Sequence, residues 1–206
     1  MKVKFYALWL SFIMIIIFFL QNIIPGLTET FLLDSSKTLS EPWRIVTSIF
    51  LHSSITHLLF NLFALILFGL ILEKEIKSNN FLIVFFVSGI IASIFSVFFY
   101  DAALGASGAI FGVIGALTIM RPTIAVFAFG IPMPLFIASI LWVGADVIGY
   151  FNPTNIANLA HLSGIGIGFI MGIFYRVNSP KKKSYVHKIE IPEHQLRKWE
   201  VLYLKN

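Results

Sequence analysis

The stretch GASGAIFG, residues 105–112, places one serine among glycines and alanines within a long apolar segment. Small residues of this kind let two membrane helices approach closely. A serine hydroxyl in the same place can also act as a nucleophile if a base lies beside it. The eight residues alone do not separate packing from catalysis, so the meaning of Ser107 depends on the rest of the chain.

The composition is that of a membrane protein. Of 206 residues, 58% are hydrophobic and 12% are charged, whereas soluble domains are about half apolar and a quarter charged. The charges delimit six charge-free runs, at residues 5–28, 45–72, 78–100, 102–120, 122–145 and 147–175. Each run reaches the roughly 18 to 20 residues that cross a bilayer as a helix. The sequence therefore predicts an all-α membrane protein with six transmembrane helices in residues 1–176.

The first run also has features of a cleaved signal peptide. Lys2 and Lys4 precede an apolar stretch, as they do in such leaders. However, the stretch is long, no small-x-small cleavage site follows it, and residues 21–26 are typical of a membrane exit. We therefore expect a retained helix.

The basic residues predict the orientation. If the amino terminus is cytoplasmic and the helices alternate, thirteen of the fifteen Lys and Arg residues lie inside, and only Lys37 and Arg44 lie outside. This bias follows the positive-inside rule and places both termini in the cytoplasm. The net charge of +5 thus reflects topology and does not call for a nucleic-acid partner.

Residues 177–206 are predicted to form a basic cytoplasmic tail that lies against anionic membrane lipid. Pro192 fits the first turn of a helix. Leu196, Trp199 and Tyr203 follow at i, i+3 and i+7, a spacing typical of an interfacial amphipathic helix.

The residue types predict neither a cofactor nor a metal. The chain has no cysteine, which excludes disulfides, thiol nucleophiles and thiolate metal sites. A metal site built from His52, His57 and His161 is geometrically conceivable. In such a site, however, the neighbouring serine and asparagine would have no purpose.

Several polar residues lie inside the predicted helices at one depth. Helix two carries His57 and Asn61, run four carries Ser107, and helix six carries His161. All three segments run from outside to inside, and the histidines and the serine lie within the first turns. Intramembrane polar residues are costly and so are candidate functional residues. Their shared position in the outer third of the membrane predicts a single site.

Helical spacing predicts that these residues converge. His57 and Asn61 are four residues apart and share one face of helix two. His161 begins a stripe of glycines on helix six, and helix four carries a matching stripe. Such small-residue faces permit close backbone contact, which brings Ser107 within reach of His161. The stripes consist of Gly164, Gly168 and Gly172 on helix six and of Gly108, Gly112 and Gly115 on helix four.

Together these residues have the chemistry of a serine hydrolase. A neutral imidazole can take the serine proton and later protonate a leaving amine, so Ser107 is the candidate nucleophile and His161 the candidate base. His57, Asn61 and the Ser107 backbone N–H, at a helix start, are suitable donors to an oxyanion.

The surroundings of Ser107 refine this prediction. Gly105 and Gly108 leave room for a substrate carbonyl to approach the backbone. No acid lies at matching depth to orient His161, apart from Asp146 at the far end of helix five. The sequence therefore predicts a Ser–His dyad rather than a triad.

Other functions fit parts of the pattern. Taken singly, Ser107 can serve helix packing and His161 can be an interhelical hydrogen-bonding residue. Intramembrane histidines can also relay protons in a transporter or channel. Against the latter, the polar residues cluster at one depth and do not form a path across the membrane.

The motifs resemble those of the rhomboid intramembrane serine proteases over roughly residues 40–176. The chain has GxSG at residues 105–108, HxxxxHxxxN at residues 52–61, AHxxGxxxG at residues 160–168, and the first-loop pair Trp43–Arg44. Each motif is weak alone, but their order and spacing on the proper helices are highly specific.

The resemblance implies a six-helix rhomboid-type bundle in which Ser107 is the nucleophile and His161 the general base. It implies an oxyanion hole made by His57, Asn61 and the Ser107 amide. The implied substrates are single-span membrane proteins cut near the outer end of their helix, admitted by movement of helix five. A relative that binds such clients without cutting them would be expected to lack the serine or the histidine, and this chain has both.

The resemblance also assigns supporting residues. Phe111 takes the position, often tyrosine in the family, that packs on the catalytic histidine, so a ring is kept and a hydroxyl is lost. Trp43 and Arg44 are implied to be structural, in a first loop partly embedded in the outer leaflet. The plasma membrane is the expected location.

Overall fold

The computed structural model describes residues 3–152, 156–178 and 191–204. It is a helical bundle with two small two-stranded sheets. The helices, in chain order, are α1 (Tyr6–Ile23), α2 (Leu27–Phe31), α3 (Arg44–Thr47), α4 (Ile55–Ala64), α5 (Leu70–Ile76), α6 (Ser78–Phe99), α7 (Ser107–Met120), α8 (Leu135–Phe151), α9 (Asn158–Asn178) and α10 (Glu193–Tyr203). The strands are β1 (Leu33–Asp34), β2 (Ala102–Ala103), β3 (Ala125–Ala128) and β4 (Ile131–Pro134).

The helix starts follow local sequence signals. The Ser54 hydroxyl accepts a hydrogen bond from the His57 backbone N–H, which caps the start of α4. α7 begins at Ser107, directly after the irregular approach through Gly105. Pro134 immediately precedes α8, and Pro192 immediately precedes α10, because the start of a helix tolerates the missing N–H of proline. The predicted helix start at Ser107 and the predicted helix after Pro192 are confirmed.

The six predicted runs correspond to α1, to α4 and α5 joined through a π-helical turn at Leu65–Gly69, and to α6, α7, α8 and α9. Within the described residues, four helices are long and apolar enough to span a membrane: Tyr6–Ile23, Ile55–Ile76, Ser78–Phe99 and Asn158–Asn178. The two other apolar helices of the predicted bundle, α7 and α8, are shorter, with 14 and 17 residues.

The short length of α7 has a physical reason. At 1.5 Å per residue it rises about 21 Å, less than the roughly 30 Å of hydrocarbon. Irregular backbone is tolerated at membrane depth where protein covers it or where it lines a cavity. The segment before α7 pairs with the loop between α1 and α4 in the β1–β2 ladder, and the segment after it folds into the antiparallel β3–β4 hairpin. These pairings satisfy backbone groups that a longer helix would otherwise satisfy.

The centre of the bundle is α7, which packs between α6 and α9. A Cβ atom at Gly164 would overlap with the carbonyl oxygen of Gly108, and one at Gly168 would overlap with that of Gly112. The two predicted glycine stripes therefore meet backbone to backbone. The α6 face is also small, since a Cβ at Gly108 would meet Ala92.

The loop between α1 and α4 is held by Arg44. Its side chain is buried, donates hydrogen bonds of 2.8 Å to the carbonyl oxygens of Glu29 and Leu32, and pairs with Glu41. The adjacent Trp43 is half exposed. These contacts support the structural role that the resemblance implies for the pair.

Glu73 on α5 joins that helix to the start of α1. This fully buried carboxyl group accepts the backbone N–H groups of Tyr6 at 3.0 Å and Ala7 at 3.1 Å. Both belong to the first turn of α1, whose N–H groups have no partner within the helix. An acidic side chain is also favoured there by the helix dipole.

The predicted tail is described in part. Residues 179–190 lie outside the described residues, as does Lys2. The described part contains α10, in which every side chain is exposed and the rings of Trp199 and Tyr203 are 5.5 Å apart. The helix after Pro192 is therefore confirmed, and its contact with lipid stays a prediction.

The α7–α9 contact generates a paired prediction. Gly168→Ala is expected to destabilise the fold by about 1–3 kcal/mol, because its methyl group would force the two backbones apart. Gly166→Ala, on the same helix but with no atom within 4 Å of the added Cβ, is expected to be neutral or stabilising. Unfolding midpoints in detergent measure both changes. Equal effects of the two substitutions would contradict the close contact.

The Glu73 cap generates a second prediction. Glu73→Gln turns an NH2 group toward one of the two backbone donors, leaving a buried donor unsatisfied, and is expected to cost about 1–3 kcal/mol. Glu75→Gln serves as the control, because the Glu75–Arg121 pair is partly exposed and such pairs contribute about 0–1 kcal/mol. The same unfolding measurement compares the two variants, and a similar loss for both would argue against the cap.

Candidate active site

The predicted polar residues line one cavity. Its volume is about 1090 Å³, and its walls come from α4, α7, α8 and α9, together with the loops that precede α4 and α7. Much of the wall is apolar and aromatic, including Phe60, Phe68 and Trp142. The polar side chains on the wall include His57, Asn61, Ser107 and His161. The structure thus brings together the four residues that helical spacing selects.

Ser107 is placed by the turn that precedes α7. Gly105 has φ +120°, a conformation that favours glycine, and its N–H donates to the Ser48 carbonyl oxygen at 2.9 Å. A Cβ at Gly105 would also lie 2.8 Å from Nε2 of His57. Glycine is therefore required twice, by the backbone angle and by the imidazole packed against it. As a result, Ser107 begins α7 facing the cavity.

His161 lies against Ser107. The distance between Nε2 of His161 and Oγ of Ser107 is 2.8 Å, within normal hydrogen-bond range. The α9 backbone at this point is fixed by the Tyr100 hydroxyl, which accepts the Leu159 N–H at 3.0 Å. The imidazole is thus in position to accept the serine proton.

Phe111 fixes the plane of that imidazole. The two rings are stacked, with centroids 4.3 Å apart and planes inclined by 6°. Aromatic contacts of this kind contribute about 0.5–1.5 kcal/mol beyond buried area. The ring therefore packs on His161 without a hydroxyl group, as expected from the residue type.

The prediction that His161 has no acidic partner is wrong. Nδ1 of His161 lies 3.0 Å from Oδ1 of Asp146 on α8. The physical reason is the antiparallel packing of consecutive helices: the far end of α8 is the end that a short connection joins to the start of α9. In the sequence, Asp146 only separates two charge-free runs, so its contact with His161 is not apparent there. The order of the helices is the signal that could have predicted it, because the end of α8 lies next to the start of α9.

The contacts of the two ring nitrogens fit one tautomer of the neutral imidazole. With its proton on Nδ1, the ring donates to Asp146. Nε2 then carries the lone pair and accepts from the Ser107 hydroxyl. This is the form of histidine that a general base requires.

The two side-chain donors predicted for an oxyanion, His57 and Asn61, line the same cavity as the serine. Nδ1 of His57 is 3.2 Å from the Ser53 hydroxyl, while its Nε2 edge lies over Gly105. Nδ2 of Asn61 donates one hydrogen to the His57 carbonyl oxygen at 2.8 Å, and a second hydrogen is left on that amide. Both side chains thus retain a donor on the cavity wall, and their role stays a prediction.

His52 supports this wall from behind. Its buried ring packs edge-on against His57, with centroids 5.1 Å apart. The side chain of Gln21 on α1 brackets its backbone, accepting the His52 N–H at 3.0 Å and donating to its carbonyl oxygen at 3.2 Å. Sequence reasoning missed Gln21, because nothing local connects it to a histidine 31 residues away.

The metal alternative lacks a ligand set in the described part of the chain. No three His, Cys, Asp or Glu side chains cluster there as metal ligands. Both nitrogens of His161 are engaged, one by Ser107 and one by Asp146.

Comparisons with known proteins agree with this geometry. A model of the rhomboid domain matches residues 39–178. The chain is 36% identical over 165 residues to the rhomboid protease GluP of Bacillus subtilis, covering 75% of this chain and 32% of that protein. It is 31% identical over 142 residues to the rhomboid protease GlpG of Yersinia pseudotuberculosis, covering 68% and 50%. It is 32% identical over 146 residues to RHOMBOID-like protein 6, mitochondrial, of Arabidopsis thaliana, covering 65% and 43%. The chain thus spans half or less of the length of these curated relatives.

The Phe111–His161 stack generates a prediction about serine reactivity. Phe111→Ala frees the imidazole to rotate and is expected to slow labelling of Ser107 by a fluorophosphonate about 10- to 100-fold, since small misplacements of a reacting group have effects of that size. Phe111→Tyr, which keeps the ring, is the control and is expected to label at close to the unmodified rate. Labelling is followed by mass spectrometry of the intact protein. Equal rates for the two variants would show that the stack does not position His161.

Proposed function

The chain belongs to the rhomboid family, and we propose that it is an intramembrane serine endopeptidase that cuts single-span membrane proteins near the outer end of their transmembrane helix. The observation that carries the proposal is the 2.8 Å contact between Oγ of Ser107 and Nε2 of His161, on the wall of a cavity within an apolar bundle. A packing serine has no need of an imidazole whose orientation is fixed by a stacked ring.

Acylation begins with proton transfer from Ser107 to Nε2 of His161 as Oγ attacks the scissile carbonyl carbon. A bond forms between Oγ and that carbon, and the carbonyl oxygen becomes an oxyanion. When the intermediate collapses, the C–N bond breaks and Nε2 gives its proton to the leaving amine. Water then repeats the sequence on the acyl-enzyme, with His161 again acting as base, and Ser107 is restored.

The oxyanion is stabilised by donors that are already in place. The backbone N–H of Ser107 lies at the start of α7, where the helix has free N–H groups and a positive dipole end. His57 and the free hydrogen of Asn61 supply side-chain donors from α4. Donors held in a water-poor site are typically worth about 2.7–4 kcal/mol each to the transition state.

The cavity indicates the form of the substrate. An intact helix hides its carbonyl groups in hydrogen bonds, so a scissile bond must unwind before Ser107 can reach it. Polar groups that line the cavity can receive an unwound segment, while lining aromatic residues such as Phe60, Phe68 and Trp142 can accommodate apolar side chains. Segments with small or helix-destabilising residues near the outer interface are therefore the favoured substrates.

The chain is a multi-pass integral membrane protein, and the basic residues support a cytoplasmic location for both termini. In this orientation the site faces the outer third of a bilayer, the proposed one being the plasma membrane. Residues 1–176 then form the protease domain and residues 177–206 a basic tail. The exposed apolar residues of α10, Leu196 and Trp199 among them, support its placement at the inner membrane surface.

The decisive experiment is cleavage of a fluorescently tagged single-span substrate in liposomes by the unmodified chain, Ser107→Ala and His161→Ala. Loss of nucleophile or base is expected to lower the rate by several orders of magnitude. Ser163→Ala is the matched control, because this serine of α9 bonds only to the Ala160 carbonyl oxygen among the described residues and is expected to cleave normally.

Two outcomes would overturn the proposal. Equal cleavage by all four proteins would mean that a contaminant cuts the substrate. Binding of several substrates by the unmodified chain, without cleavage of any, would identify a client-binding relative in which Ser107 serves packing.

A further inference from the structure

We infer that Asp146 is a positioning residue for His161, which orients the imidazole of the reacting Ser107–His161 pair in the proposed hydrolysis. The inference rests on the proposed function. It assigns a role to an acidic residue that lies outside the four motifs quoted above and on a different helix from both Ser107 and His161.

The first support is the isolation of the carboxyl group. Asp146 is 7% exposed, and its Oδ1 lies 3.0 Å from Nδ1 of His161. Its second oxygen, Oδ2, is buried and has no hydrogen-bond partner within the described part of the chain. Burying a carboxyl group is expensive unless it is paired. The contact with the imidazole of His161 is therefore the interaction that offsets the free-energy cost of burying this carboxyl group.

The second support is the line of contacts through one imidazole. On one edge of the ring, Nδ1 of His161 lies 3.0 Å from Oδ1 of Asp146. On the opposite edge, Nε2 lies 2.8 Å from Oγ of Ser107. Phe111 covers one face. Accepting from Nδ1–H holds the ring in the tautomer whose Nε2 can accept the serine proton. After that transfer, the carboxylate lies beside the new imidazolium and stabilises it.

The third support is the arrangement of α8. Ser139 and Asp146 are seven residues apart, so they lie on one face of α8, and both are buried. Ser139 contacts the Thr118 hydroxyl of α7 at 2.7 Å, while Asp146 contacts His161 of α9. The helix is thus tied to its neighbours by one neutral and one acidic side chain. The Ser139–Thr118 hydroxyl pair can join two helices without any charge. The acidic side chain, in contrast, lies at the imidazole of His161, where a carboxylate can orient the ring and stabilise its protonated form.

The alternative is that Asp146 only joins α8 to α9. Polar contacts between membrane helices contribute only modestly to stability on average. A purely structural contact would affect stability and would leave the chemistry of Ser107 unchanged once the protein is folded. The two roles are therefore separated by measuring the serine's reactivity in folded protein.

The test compares the unmodified chain, Asp146→Asn and Ser139→Ala in liposomes. Asp146→Asn keeps the size of the side chain and removes the charge, while Ser139→Ala removes the other polar tie of the same helix face. We measure kcat and KM for the tagged substrate, the rate of Ser107 labelling by a small fluorophosphonate, and the unfolding temperature. The small probe reports the chemistry of Ser107 without requiring a transmembrane substrate to enter.

Asp146→Asn is expected to lower kcat and the labelling rate about 10²- to 10⁴-fold, with KM changed less than about threefold. Ser139→Ala is expected to keep both rates while lowering the unfolding temperature by a few degrees. Asp146→Glu, which restores the charge on a longer side chain, is expected to recover part of the labelling rate. If Asp146→Asn proves too unstable to purify, Asp146→Ser supplies the same loss of charge with a smaller side chain.

The inference is overturned if folded Asp146→Asn, or Asp146→Ser in its place, cleaves and labels within about threefold of the unmodified chain. It is also overturned if Ser139→Ala loses as much reactivity as Asp146→Asn, because the effect would then follow from the packing of α8. Failure of the unmodified chain to cleave or to label would instead contradict the proposed function, so the two failures are distinguishable.

Discussion

The contact between α7 and α9, in which no side chain separates the two backbones, is the constraint on which the site depends. Glycines on α9 face carbonyl oxygens of α7, and a single added methyl group at Gly164 or Gly168 would overlap with them. In lipid, apolar surface gives little drive for helices to associate, so shape and polar contacts decide the packing. The closeness of the helices permits a short serine side chain at the start of α7 to reach an imidazole on α9.

Around that contact, the buried polar groups lie at a few joints of the bundle. Arg44 ties the outer loop to carbonyl oxygens, and Glu73 caps the first turn of α1. Gln21 brackets the backbone of His52, which in turn supports the His57 ring. An unpaired polar group in an apolar interior costs roughly 2–7 kcal/mol by transfer measurements. Each of these buried side chains must therefore keep its hydrogen bonds, which restricts how the segments it connects can be arranged. These contacts hold the elements around the site in place.

Much of the architecture could be read from local patterns. Charge-free runs located the helices, Pro192 marked the start of α10, and the glycine stripes indicated which faces of α7 and α9 meet. These features depend on neighbours in the sequence or on a 3.6-residue period. Other features could not be predicted in this way, because they depend on which distant segment covers an exposed backbone group. They are the short length of α7, the β1–β2 and β3–β4 pairings and the contacts of Gln21 with the His52 backbone.

The sequence by itself determined the membrane-spanning character and the pairing of Ser107 with His161, because apolar length and helical period act locally along the chain. Only the tertiary structure decided the surroundings of that pair: Phe111 stacked on the imidazole, His57 against Gly105, and Asp146 at Nδ1. The physical reason is that the partner of a buried charge is set by how helices are juxtaposed. An aspartate that ends one apolar run in the sequence becomes, in the folded bundle, the neighbour of the histidine that begins the next helix.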